Sequence, residues 1–212
     1  MRTDELINAL VADGRAGEIS YARQISIALM AGFALSVLLF FLTLGPRPDI
    51  HSALATPRFV LKIVESLLLA TAAAPLAVKL SRPGEEMRFG RFALLVTPAL
   101  LVATVVAELL LIQPEDWAVR LIGTNSRVCL VSIPFLSLPL LAAALYAQSR
   151  LAPTRPLLAG GVAGLFAGGL GAALYALHCP DDSPLFVATW YTMAITAVTV
   201  VGATAGRRLL RW

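Results

Sequence analysis

The sequence predicts an all-α membrane protein, a bundle of six transmembrane helices with its N- and C-termini in the cytoplasm. Three observations predict it. Of 212 residues, 58% are hydrophobic and 14% charged, and the mean hydropathy is +0.79, whereas a soluble domain carries roughly a quarter charged residues. Six apolar runs each reach the about 20 residues that cross a hydrocarbon core of about 30 Å. Lys and Arg gather on one side of the alternating connections. The runs do not alternate apolar with polar residues as barrel strands do, and lipid tolerates no unpaired backbone groups, so each is read as a helix.

Residues 1–23 form a cytoplasmic arm. In MRTDELINALVADG, Thr3 can cap a helix whose first turn holds Asp4 and Glu5, and Gly14 is placed to end it. Leu6, Ile7, Leu10 and Val11 recur at helical spacing and give this short helix an apolar stripe. A helix this short is marginal in water until the stripe is covered. Its polar face carries Asp4, Glu5, Asn8 and Asp13 rather than the basic residues of membrane-surface helices, which favours a protein groove as the cover.

The transmembrane domain occupies 24–206, with runs at 24–44, 58–80, 92–112, 128–148, 157–177 and 185–206, and a basic tail follows at 207–212. Pro75, Pro98, Pro134 and Pro139 lie inside runs, where neighbouring helices accommodate the kinks. The first run exceeds the about 7–15 residues of a signal-peptide core and follows an acidic arm, so it is expected to remain in the mature protein. With the N-terminus inside, twelve of seventeen Lys and Arg are cytoplasmic, leaving Arg47, Arg58, Lys62, Arg120 and Arg127 on the outer side. Topology therefore accounts for the net charge of +4 without a nucleic-acid partner. The connections are too short to hold a folded catalytic head.

Both cysteines and both histidines fall at or near the outer face: His51, Cys129 at the outer end of the fourth run, and His178 and Cys179 in the loop HCPDDSP. Thiolates with imidazoles suit a soft cation such as Zn²⁺ or Cd²⁺, and two thiols in an oxidising compartment equally suit a disulfide. His51, His178, Asp181 and Asp182 are candidate auxiliary ligands. No CxxC or HxxxH spacing is present, and Cys129 reads equally well as a small apolar helix residue. Cys179, beside Pro180, Asp181 and Asp182, is expected to be exposed. Asp182 or Ser183 can cap the sixth helix, with Pro184 in its first turn.

Lys62, Glu65 and Glu108 lie inside apolar runs, where charges are costly and become functional candidates. A Lys62–Glu65 or Lys62–Glu108 pair would offset that cost; an ion or proton pathway through the three is the competing reading. Gly160, Gly164 and Gly168 form overlapping G-x-x-x-G repeats that permit close helix approach, inside the bundle in preference to between copies. No G-x-S-x-G or S-x-x-K pattern is present, and no enzyme activity is expected from these residues.

The opening MRTDELINALVAD, the Arg47-Pro48-Asp49 triplet, the cysteine in the fourth run, LHCPDDSPLFVATWY and the final RRLLRW together resemble the negative regulator of sigma F family of bacterial membrane anti-sigma factors. The similarity covers essentially the whole chain, and H-C-P-x-D-S-P-x-F at 178–186 is its most specific part. The resemblance implies a six-span inner-membrane protein that sequesters an extracytoplasmic-function sigma factor and releases it under oxidative or heavy-metal stress. It also implies that Cys129 and Cys179 are the sensing groups, that no resident cofactor is required, and that any soft metal binds transiently at the outer face. It gives the arm its partner without assigning the contact residues. The remaining alternatives are a small ion- or proton-coupled transporter built on Lys62, Glu65 and Glu108, and a membrane thiol-disulfide oxidoreductase built on the cysteine pair.

Overall fold

The computed structural model describes residues 3–81 and 90–211, with side chains for all of these except 6–22 and 90–93. Every regular element among them is helical: α1 (Thr3–Thr43), the short α2 (Ile50–Ala53), α3 (Pro57–Leu80) and α4 (Gly90–Leu111). A 3₁₀ turn (Pro114–Asp116) leads into α5 (Trp117–Ile122), followed by α6 (Ser126–Ser149), α7 (Pro156–Ala176) and α8 (Pro184–Leu209), which contains a π-turn at Val187–Tyr191. Six helices are long and apolar enough to cross a membrane: Arg23–Thr43 of α1, α3, Leu94–Leu111 of α4, α6, α7 and α8. They match the six runs to within a few residues.

Local chemistry sets several boundaries. Pro57, Pro156 and Pro184 each open a helix at a position whose N–H has no partner within the helix. Gly123 ends α5 at φ +58°, and an added Cβ there would lie 2.5 Å from the Phe186 ring. Pro75, Pro98, Pro134 and Pro139 all sit inside helices, as expected.

One expectation fails at the N-terminus. Gly14 does not end a short arm helix; the backbone continues as one 41-residue helix into the first span. A lone glycine costs only about 1 kcal/mol relative to alanine, too little to stop a helix extended from a packed span. At 1.5 Å per residue α1 is about 60 Å long, roughly twice the hydrocarbon thickness, so its first half projects beyond the bilayer. The side chains of Leu6, Ile7, Leu10 and Val11, the expected partner-binding stripe, lie outside the described residues, as does the connection at 82–89.

α7 is the central helix, with 56% of its span buried, against 11% for the peripheral α4. Its glycines explain how three neighbours approach it. A Cβ at Gly160 would meet the Gly202 carbonyl and lie 2.8 Å from the Gly206 Cα, and one at Gly164 would lie 2.6 Å from the Thr199 Cα. Gly168 faces Ile195 of the same helix, α8. Gly169 admits α3, with Ala70 N at 2.9 Å from its would-be Cβ, and Gly171 admits α6, with the Ile133 carbonyl at 3.0 Å. The Gly160, Gly164 and Gly168 stripe is therefore occupied within the bundle. α1 packs on α6 through Gly32, Ser36 and Phe40, one residue per helical turn.

The core divides along the bundle axis. One cluster, around Leu76, Leu80, Leu140, Leu141, Ala163 and Val198, fills the end nearer α8's C-terminus. The other includes Phe40, Ile133, Leu136, Tyr175, Phe186 and Tyr191 together with Cys129 and Cys179. The second lies beneath the face on which the connections 44–56, 112–125 and 177–183 meet.

Candidate functional site at the loop face

These connections dock on the 177–183 loop through two carboxylates of its own. Asp182 lies between two cations: Lys62 Nζ donates to its Oδ1 at 2.5 Å and Arg47 Nη1 to its Oδ2 at 2.8 Å. Lys62 also donates to the Cys179 carbonyl at 2.8 Å and the Asp181 carbonyl at 3.3 Å. Its side chain is fully buried, with the ammonium 5.5 Å from the centre of the Phe59 ring. Arg47 is held in a fork by Asp49, with both bonds at 2.7 Å. Asp49 and Asp182 together push the guanidinium above its ordinary pKa, and Arg47 holds the exposed Asp49 carboxyl below the usual carboxylate range.

Asp181 serves α6. Its carboxylate accepts the backbone N–H groups of Thr124 at 3.1 Å and Asn125 at 2.8 Å, placing an anion at the positive end of that helix. Glu108 serves α8 in a similar way, accepting Ser183 Oγ–H at 2.7 Å and the Leu185 N–H at 3.3 Å. Ser183 does occupy the expected cap position of α8, yet the capping oxygen comes from α4. Glu108 is also paired with Arg120 at 3.3 Å and Arg58 at 3.5 Å.

The expected partnership of Lys62 with Glu65 or Glu108 is corrected by these contacts. Lys62 reaches along its helix to the loop and takes Asp182, whereas Glu65, buried a turn deeper, accepts from Thr104 Oγ1 at 3.1 Å. Charges at membrane depth are here tied to loop groups that sequence distance hides: Lys62 and Asp182 are 120 residues apart.

The expected exposure of Cys179 is also corrected. Cys129 and Cys179 are free thiols, both wholly buried in one cluster. Cys179 sits in the turn that closes α7, its N–H donating to the Tyr175 carbonyl at 3.1 Å and its carbonyl held by Lys62, so its side chain turns inward. Burial pushes its thiol above the ordinary pKa, against the opposing pull of Lys62 and of the nearby Tyr175 hydroxyl. In this conformation the Cys179 sulfur is shielded from solvent. The solvent side of the loop lines a cleft of about 390 Å³ with Arg58, Arg120 and Thr124.

The candidate auxiliary ligands do not converge. His178 Nδ1 bonds the Gly45 carbonyl at 2.9 Å, Asp181 is engaged with α6, and Asp182 with Lys62 and Arg47. His51 is exposed on α2. Among the described residues no three His, Cys, Asp or Glu side chains form a group able to hold a metal ion.

Sequence reasoning places Arg58 and Arg120 on the outer side without assigning them a partner, and does not single out Phe59, Thr124, Tyr175 or Tyr191. Five outer basic residues opposite a loop with two carboxylates were a usable signal for the ion pairs; nothing in the sequence marked the tyrosines.

A family model described as negative regulator of sigma F matches residues 10–212. The chain is 38% identical over the full length of both sequences to a protein named anti-sigma-F factor NrsF from Caulobacter vibrioides. It is 34% identical, again over both full lengths, to a probable anti-sigma-F factor NrsF from Azospira oryzae. No solved structure matches the chain.

Proposed function

The chain belongs to the negative regulator of sigma F family, and on that premise we propose that it is a membrane anti-sigma factor that holds an extracytoplasmic-function sigma factor at the cytoplasmic face and releases it when Cys129 and Cys179 react. The family is regulatory, and the functional reading is accordingly non-enzymatic. The distribution of Lys and Arg supports a cytoplasmic location for both termini in a bacterial inner membrane, with the loop face periplasmic. The projecting half of α1 is the natural site for the sigma factor, by the helix-in-groove mode.

The observation that carries the sensing part is the burial of both thiols in one cluster, beneath a loop clamped by Lys62 and Arg47. A disulfide or a bridging soft cation at these two sulfurs would disturb their resting packing in the cluster. Reaction is therefore linked to release of the Cys179 turn, whose contacts run to α3, α6 and α7. Because α7 touches its neighbours backbone to backbone at glycines, it has little slack, and a displacement at one end is passed along the bundle. Lys62 and Glu108 have structural work at this face, which leaves the transporter reading without support from their geometry.

The test is a pull-down of co-expressed sigma factors with the intact protein in detergent, with and without residues 1–20, before and after Cd²⁺ or an oxidant. Capture that needs the arm, declines on treatment, and no longer declines in Cys129→Ser or Cys179→Ser supports the reading. Capture unaffected by treatment removes the sensing part, and no capture under any condition removes the regulator.

A further inference from the structure

Two guanidiniums at the loop face share one carboxylate. Arg58, in the first turn of α3, and Arg120 of α5 approach the same Glu108 oxygen at 3.5 and 3.3 Å. Their side chains are 44% and 34% exposed, whereas Glu108 is buried, so the cations form the accessible side of the trio and leave it with a net positive charge. Beyond Glu108 neither has a side-chain partner among the described residues. Both line the cleft of about 390 Å³, together with Val119 and Thr124. The two aspartates of the cleft are already engaged, Asp182 by Lys62 and Arg47, and Asp181 by the N–H groups that open α6.

The cleft lies at the depth of lipid headgroups. Arg58 is in the outermost turn of the span Pro57–Leu80, and α5 begins shortly after the span Leu94–Leu111 ends. Trp117, Val119, Leu121 and Ile122 of α5 are exposed, and the Leu121 carbonyl accepts the Trp190 indole N–H at 2.8 Å, which ties α5 to α8. A short helix fastened to a span, with a tryptophan and aliphatic side chains outward, belongs in the bilayer interface. Guanidiniums match phosphate oxygens through forked N–H pairs, and basic pockets beside membrane helices hold acidic headgroups. We propose that Arg58 and Arg120 bind the phosphate of an anionic phospholipid from the leaflet on this side, with the headgroup in the cleft. The segment Pro180–Ser183 forms another wall of the cleft, so a lipid seated there abuts the loop that carries Cys179. The assignment itself does not depend on what the cysteines do.

The experiment uses the full chain in a neutral detergent, offered phosphatidylglycerol and phosphatidylcholine of matched chains in equal amounts. Bound lipid is counted by mass spectrometry of the intact complex. Wild type is expected to take phosphatidylglycerol about tenfold over phosphatidylcholine as its first lipid. Arg58→Gln should lose most of that preference, and the double variant with Arg120→Gln all of it. Arg127→Gln, at an exposed arginine outside the cleft, should keep it. Arg58→Gln leaves Arg120 paired with Glu108, so it decides the matter even where the double variant does not fold. In parallel, phosphatidylglycerol should raise the unfolding temperature of wild type, and inorganic phosphate at the same concentration should not. A wild type without preference, an Arg58→Gln that keeps it, or an Arg127→Gln that loses it as fully overturns the assignment. Inorganic phosphate that stabilises as well as the lipid overturns the lipid in favour of a free anion.

Discussion

Lys62 joins three structures with one ammonium: it pairs with Asp182, holds the Cys179 carbonyl and lies near the face of Phe59. Removing one member of a buried ion pair leaves the other uncompensated. Lys62→Met is therefore expected to lower stability by about 3 kcal/mol, moderated by the remaining Arg47 bond to Asp182. It should also speed maleimide labelling of Cys179; thermal unfolding and labelling rates, read on the same preparation, check both. Unchanged labelling with lowered stability would show that Lys62 supports the fold without guarding the thiol. Asp49 gives a pH signature. Arg47 holds its carboxyl below the unfolded value of about 3.9, so its stabilisation is present above that value and is lost as pH falls through the folded pKa. Asp49→Asn should melt slightly below wild type at neutral pH and together with it in acid, a small difference because the pair is solvated.

Among the elements, α7 shows how small residues are used. A Cβ at Gly164 would lie 2.6 Å from the Thr199 Cα and 2.7 Å from the Val198 carbonyl oxygen, so α7 and α8 must separate to admit it. A Cβ at Gly161, three residues earlier, meets only the Ala203 Cβ at an ordinary 3.6 Å. Gly164→Ala is expected to destabilise by about 1–3 kcal/mol, the usual cost of overpacking. Gly161→Ala should be neutral or stabilising, since alanine favours a helix. Unfolding temperatures of the two variants in one detergent decide the matter. The six glycines of α7 read alike in the sequence; their differences arise from which neighbour each one faces.

For the molecule as a whole, an even number of spans puts both ends on one side, and the proposal that this side is the cytoplasm rests on the positions of twelve of the seventeen basic residues. Reporter fusions check this: a reporter active only in the cytoplasm should work at either terminus, and one active only outside should work within 113–127. The opposite pattern would put Cys179 inside the cell and end the proposal of an outward-facing sensor. The same scale contains the misreading of the arm. Gly14 was a reasonable local stop signal, but continuity with a span anchored on α6 outweighs a penalty of about 1 kcal/mol.

By itself the sequence determined the six spans, their prolines and the grouping of the cysteines and charges near one face. Those properties follow from hydropathy and chain order, because lipid forces every crossing segment to satisfy its own backbone. The tertiary structure alone decided that Cys179 is buried, that Lys62 takes Asp182 in preference to Glu65 or Glu108, and that carboxylates from other elements cap α6 and α8. It alone placed the buried rings of Tyr175 and Tyr191 in one cluster with the thiols. These are contacts between residues far apart in the chain, settled by which helix faces come together, and a loop of polar residues carries no local mark of being held against a core by cations from two other segments.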